Sequence, residues 1–191
     1  VYKSDKAFEM KSVVPSGTQF IDNVDFENKN NWNQENIGIK NTGMYSGTTN
    51  NYTSFSFTGT KAWVIGTLDP NHGIMEVWID DKKVTEVDTY NSKRSISQIL
   101  YETPDLEYGK HTVKLVVKGT KNASSRGNAI GIDAAYYLNN NGAGMFEIEN
   151  TSYTVDEGKE KEIVIKRVGG SKGSATVHFS TSPDNAVHGR N

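Results

Sequence analysis

The run from Ser54 to Tyr101, SFSFTGTKAWVIGTLDPNHGIMEVWIDDKKVTEVDTYNSKRSISQILY, constrains the fold more than any other part of this chain. Phe55 and Phe57 alternate with serines and lead into Thr58-Gly59-Thr60, and Ala62 to Ile65 follows. Apolar residues at every second position, closed by turn residues, describe strands and not helices. Asp69-Pro70-Asn71-His72-Gly73 breaks the chain, and Ile74 to Asp80 then places Met75, Val77 and Ile79 on one face with Glu76 and Trp78 on the other. The polar link Asp81-Lys82 leads into Lys83 to Tyr90, which predicts a hairpin.

Downstream the same pattern continues. His111 to Lys118 alternates with Val113, Leu115 and Val117 on one face, and Ile130 to Leu138 is a further strand. Upstream, Gln19 to Trp32 begins apolar and turns polar, and Asn33 to Asn51 is an Asn-, Gly- and Thr-rich loop with a short extended piece at Met44 and Tyr45. About eight strands with no helical apolar stripe predict an all-β, two-sheet jelly roll. Residues 1–18 read as a lead-in, 19–139 as the jelly roll, and 140–144, rich in Asn and Gly, as a linker.

With 191 residues the chain is long enough for a sizeable core. Its net charge of −2 gives no bulk attraction to nucleic acid or an anionic membrane. It has no cysteine, so thiolate nucleophiles, zinc-thiolate centres and disulfide staples are excluded. No apolar run is long enough to cross a bilayer as a helix.

Residues 145–191 carry a second pattern, with strands expected at Phe146 to Glu149, Tyr153 to Val155, Lys161 to Arg167 and Ser174 to Ser180. Four strands are fewer than a complete immunoglobulin-like sandwich needs. A half-sandwich leaves strand edges and apolar rows unpaired, which predicts self-association through this segment unless it packs on the jelly roll.

No catalytic constellation stands out. Asp80 and Asp81 are strand neighbours pointing to opposite faces, so they cannot form a glycosidase's opposed acid and base. Nucleophile-elbow, zinc-protease, P-loop and dinucleotide motifs are missing. Trp63 and Trp78 fall out of phase with their strands' apolar faces. An aromatic face offered to solvent can stack on a sugar ring, whereas one under a loop only packs. Tyr90 and Tyr101 are candidates of the same kind. Arg94 is the best placed charge for bonding sugar hydroxyls, and His72, in its Pro-Asn-His-Gly turn, either orders the loop or faces a ligand.

The order of FTGT, PNHG, VWIDDKKV, VDTYNSKRSISQILY, YGKHTVK, GTKN and IDA resembles a galactose-binding-like jelly-roll module of the kind found beside the catalytic domains of large secreted bacterial glycosidases. The resemblance spans roughly residues 19 to 138, and Asp81 stands where that family usually has Gly. It implies a non-catalytic carbohydrate-binding module, secreted or at the cell surface, with a glycan ligand and neighbouring domains of the same polypeptide as partners. Its ligand-binding residues would be Trp63, Trp78, Tyr90, Arg94, His72 and Tyr101. In related jelly rolls a calcium ion ties the first strand to the last. Asp133 resembles one such ligand, with Asp25 or Glu27 as a second. Tyr153-Thr154-Val155-Asp156-Glu157-Gly158 and Arg167-Val168-Gly169-Gly170 resemble the opening of a Calx-β domain, an immunoglobulin-like sandwich often used as a stalk. The alternative role is therefore a structural spacer or protein-interaction module.

Overall fold

The computed structural model describes residues 14, 17–139, 143–149, 153, 154 and 160–178. They form an all-β jelly-roll sandwich of two antiparallel sheets followed by a two-stranded ladder. In the first sheet β2 (Asn33–Gln34), β3 (Met44–Ser46), β10 (Ile130–Leu138), β5 (Lys61–Leu68) and β8 (Ser95–Glu102) lie side by side, and β1 (Gln19–Asp22) also pairs with β10. In the second, β4 (Tyr52–Gly59), β9 (Gly109–Val117), β6 (Ile74–Ile79) and β7 (Lys82–Asp88) follow one another.

The period-two rows account for the packing. Phe55 and Phe57 from β4, Met75, Val77 and Ile79 from β6, and Val113, Leu115 and Val117 from β9 meet Ala62 and Val64 of β5 and Ile130, Ile132 and Ala135 of β10 between the sheets. The hairpin between β6 and β7 turns on Asp80 and Asp81, one residue earlier than the sequence pattern suggests. Both adopt left-handed backbone, φ 48° and 63°, as a two-residue type I′ turn requires. Aspartate tolerates that region better than most residues, so Asp80 and Asp81 hold the turn without glycine.

The first sheet is covered on its outer face as well. Trp63, Ile65, Ala134 and Leu138 form a second cluster there, packed under Val14, Phe20, Ile39, Ile99, Tyr136 and Met145.

After the sandwich, β11 (Met145–Ile148) pairs antiparallel with β12 (Ile165–Val168). This is less than the four strands expected. Tyr153, Thr154 and residues 160–164 and 174–178 are described and form no strand; Val155, Phe179 and Ser180 lie outside the described residues. A strand needs a hydrogen-bonded neighbour, and among the described residues Ile163 and Val177 lie outside the ladder and are exposed.

Candidate functional site

At one end of the sandwich the loops around Asp69 and Arg94, with Tyr45 of β3, form a cleft of about 220 Å³ lined by Glu35, Tyr45, Asp69, Asn71, His72, Arg94 and Ala129. The turn that follows β5 builds its floor. Asp69 Oδ1 accepts the backbone N–H of Asn71 at 2.9 Å, and the N–H of His72 donates to the Asp69 carbonyl at 3.0 Å. These bonds reverse the chain and bury His72. Its Nδ1 lies 2.8 Å from the Thr67 carbonyl, an acceptor only, so Nδ1 carries the proton. Burial pushes the His72 pKa below its ordinary value, and the ring is neutral at physiological pH.

Arg94, in the loop between β7 and β8, is held by two carboxylates from distant parts of the chain. Its Nη2 donates to both Glu35 oxygens at 2.6 Å, and its Nε lies 3.3 Å from Asp69 Oδ2. Half-exposed between them, the guanidinium keeps its Nη1 donors for the cleft, since no described residue takes a bond from that atom. Tyr45, 37% exposed, forms a flat wall. A planar donor, two carboxylates, an amide and an aromatic ring suit a small polyhydroxylated ligand.

The six residues expected to bind ligand do not converge. Arg94 and His72 share this cleft; Tyr90 is next to it, its backbone bridging Asp69 and its N–H donating to Asp88 Oδ1 at 3.0 Å, but it does not line it. Trp78 lies on the outer face of the second sheet, in a cleft of about 490 Å³ with Tyr52 and Lys114. Its Nε1 donates to Glu76 Oε2 at 3.1 Å, and Lys114 Nζ covers its ring at 4.5 Å from the centroid. Trp63 is 3% exposed under the outer cover of the first sheet, so it cannot offer a face to a sugar. Tyr101 packs against the main core, where burial pushes its hydroxyl pKa up. Glu35, Tyr45, Asp69 and Asn71 complete the cleft. The Asp-Pro-Asn-His-Gly turn signalled Asp69 and Asn71, while Glu35 and Tyr45 are tied to the site by pairing across the sheet and the loops alone.

Asp133 sits at a bulge in β10, where the register with β5 shifts between Ile132 and Ala134. It is 2% exposed; Oδ2 accepts the Ile39 N–H at 2.8 Å, the Ser97 side chain also bears on the carboxylate, and Oδ1 is buried with no well-formed hydrogen bond from a described residue. Gly38 stands against this carboxylate so closely that a Cβ there would lie 2.3–2.6 Å from its atoms. Asp22, at the end of β1, is the acidic side chain whose charge reaches Asp133. Next to Asp22 in the chain, Asn23 Oδ1 is a second buried oxygen with no partner among the described residues, while its Nδ2 donates to the Thr42 carbonyl at 2.5 Å. Asp25 and Glu27 are exposed, and the backbone of Glu27 bridges Ser54 in the opposite sheet. Among the described residues no three Asp, Glu or His side chains gather as a metal site. Side-chain oxygens of Asp133, Asn23 and Asp22 are of the kind calcium prefers, with Asp22 Oδ1 already accepting from the Val24 N–H and the Thr42 hydroxyl and its Oδ2 facing Lys40 at 3.6 Å.

Comparison with known proteins finds two curated relatives, both from Flavonifractor plautii. An A type blood alpha-D-galactosamine galactosaminidase is 36% identical over 89 residues, 46% of this chain and 8% of that enzyme. An A type blood N-acetyl-alpha-D-galactosamine deacetylase is 33% identical over 87 residues, 44% of this chain and 11% of that enzyme. The chain thus spans about a tenth of the length of the relatives it matches. No model of a known protein family matches it. Similar solved structures include the CBM36-1 domain of a multidomain xylanase from the hindgut metagenome of Trinervitermes trinervoides, with a TM-score of 0.40 and 15% identity over 62% of this chain and 94% of that one. A carbohydrate-binding module CBM36 in complex with calcium and xylotriose gives a TM-score of 0.38 and 12% identity over 62% of this chain and 97% of that one.

Proposed function

We propose that this chain is a non-catalytic carbohydrate-binding module of a multidomain, secreted glycan-active enzyme, and that the cleft at Arg94 grips a single sugar. The observation that carries this reading is the guanidinium of Arg94 fixed between Glu35 and Asp69, with free donors facing a cleft walled by Tyr45. Arginine Nη1 would donate to one sugar oxygen, the carboxylates would accept from neighbouring hydroxyls, and Tyr45 would meet the ring's C–H face. The shared stretches support an ancillary role: a small part of a galactosaminidase and of a deacetylase, whose chemistries differ, is better explained as a binding module than as either catalytic centre. Galactosamine- and N-acetylgalactosamine-terminated oligosaccharides are accordingly the first ligands to test.

A lone open cleft should bind with a dissociation constant roughly between micromolar and millimolar and gain avidity from neighbouring modules. Glycan-array screening followed by calorimetry tests the reading. Arg94→Ala is expected to weaken binding by about tenfold or more, the loss of a charge-assisted hydrogen bond. Trp78→Ala should leave this affinity unchanged. Absence of any glycan ligand for the intact chain would overturn the proposal.

A second reading, that the module is a spacer, is favoured by one observation: Trp63, Trp78 and Tyr90 lie on three different parts of the sandwich and make no common platform. Under either reading, residues 19–139 are the sandwich unit, 140–144 link it to a Calx-β-like segment, and a calcium ion held by Asp133, Asp22 and Asn23 ties β1 to β10.

A further inference from the structure

His111 opens β9 with both ring nitrogens committed to acceptors. Nδ1 lies 2.7 Å from Asp80 Oδ2 at the β6–β7 turn, and Nε2 lies 2.8 Å from the backbone carbonyl of Glu107 in the loop that precedes β9. A carboxylate and a carbonyl both only accept, so the two bonds are made together only when the imidazole carries both protons. Asp80 is anchored in turn, its Oδ1 accepting the Thr112 N–H at 2.9 Å. From β4, where Phe57 is its register partner, the ring faces the Phe57 ring, 5.6 Å between centroids. Lys110 beside it and the Glu107 side chain are exposed, so Asp80 is the charge that sets its protonation.

The loop held through Glu107 also carries the second unit. Residues 103–108 are hydrogen-bonded to the start of β5 through Thr103 N–H to Ala62 and Leu106 N–H to Thr60. On one side of Glu107, Asp105 Oδ1 accepts the N–H of Gly169 at 3.3 Å, and the Thr60 hydroxyl donates to the Gly169 carbonyl. On the other side, the Tyr108 hydroxyl donates to Asn139 Oδ1 at 3.2 Å, where the chain leaves the sandwich. Gly169 directly follows β12, so these contacts seat the ladder on the sandwich.

We propose that the charge on His111 sets how firmly the C-terminal ladder is held against the sandwich. When the ring loses a proton it keeps one N–H for the stronger acceptor, the Asp80 carboxylate, and presents a lone pair to the Glu107 carbonyl. Repulsion there loosens the loop between Asp105 and Tyr108. Burial pulls the His111 pKa down, but the Asp80 and Glu107 hydrogen bonds and the Asp80 charge outweigh it and raise it above the ordinary 6.5. A raised pKa means that the ring's stabilisation is complete below the ordinary value and is lost as pH rises through the raised one. The ladder is therefore held in mild acid and released toward alkaline pH.

The test uses the full chain. His111 is titrated by NMR, with its signal assigned by His111→Gln, while hydrogen-exchange protection factors of the Gly169 and Leu106 amides are followed over the same pH range. The Gly169 protection factor is expected to fall about threefold or more through the His111 titration, as for loss of one modest hydrogen bond. Asp80→Asn removes the charge without removing the histidine, and should shift both titrations together to lower pH. A merely structural histidine would not link the two. Gly169 protection that is flat across the His111 titration, or a His111 pKa at or below the ordinary value, would overturn the proposal.

Discussion

On the calcium proposal, calcium and protons would compete for the Asp133 carboxylate. Burial, with the Asp22 charge adding to it, pushes the Asp133 pKa above its ordinary value, and hydrogen bonds from the Ile39 N–H and the Ser97 side chain pull it only part of the way back. An acid whose pKa is raised by folding gives stability that is fully present below its unfolded value, near 3.9, and is lost as pH rises through the folded value. In chelator, this group therefore favours the fold at acid pH and disfavours it at neutral pH. Calcium held by Asp133, Asp22 and Asn23, as proposed, would add positive charge beyond that of Lys40, 3.6 Å from Asp22 Oδ2, and reverse that loss. A ligand at a hundred times its dissociation constant stabilises by about 2.7 kcal/mol. With about 2–4 °C per kcal/mol for a chain of this size, the melting temperature at pH 7 should rise by about 5–10 °C between chelator and excess calcium. Thermal unfolding followed by circular dichroism measures this, and the increment should shrink at pH 4.5. Asp133→Asn keeps an oxygen for the Ile39 N–H and removes the charge, so it should abolish the calcium response while leaving the melting temperature in chelator equal to or above that of the parent. The same melting temperature in calcium and in chelator for the parent chain would refute the reasoning.

Trp63→Ala should destabilise by about 3–5 kcal/mol, as expected for a buried Trp, and leave glycan affinity per folded molecule unchanged, which denaturant melts and calorimetry would show together. The ladder leaves Ile148, Ile163 and Val177 exposed, so the full chain is expected to dimerise at high concentration while a chain ending at Asn139 stays monomeric. Light scattering that found the full chain monomeric at millimolar concentration would show that packing on the sandwich through Gly169 suffices.

The sandwich was legible because its strands are half-buried, and half-burial writes itself into sequence as alternation: Val113, Leu115 and Val117 face in while Thr112, Lys114 and Val116 face out. The turn between β6 and β7 was readable for a similar local reason, and its one-residue displacement arises because a type I′ turn needs two successive left-handed residues, which Asp80 and Asp81 supply. Trp63 shows where local reading stops. An aromatic out of phase with the core says that the outer face of a sheet carries something apolar, but whether this is a platform or a covered surface depends on segments far away, here Val14, Phe20 and Met145. Residues 145–178 show the same limit from the other side, because an alternating stretch such as Lys161 to Arg167 becomes a strand only along the part that finds a partner, Ile165–Val168 against Met145–Ile148.

The candidate site divides along the same line. Arg94 and His72 could be picked out as chemistry in search of a location, since a guanidinium in a polar loop and an imidazole in a tight turn are unusual locally. Their partners could not be found by spacing: Glu35 is 59 residues from Arg94, and Asp22 meets the Asp133 region only through the antiparallel register that sets it opposite Ala134. Strand pairing across more than a hundred positions sets Asp22 opposite Ala134, so that Asn23 and Asp133, each with a poorly bonded buried oxygen, flank that pair in the chain. A buried oxygen without a partner costs about 1–3 kcal/mol, so two poorly bonded ones, with the Asp22 carboxylate close enough to act on Asp133, would burden a fold of ordinary stability unless a cation or a proton relieved them. That cost is why the first perturbation to make on this protein is at Asp133, where pH, calcium and one substitution separate the alternatives in a single series of melts.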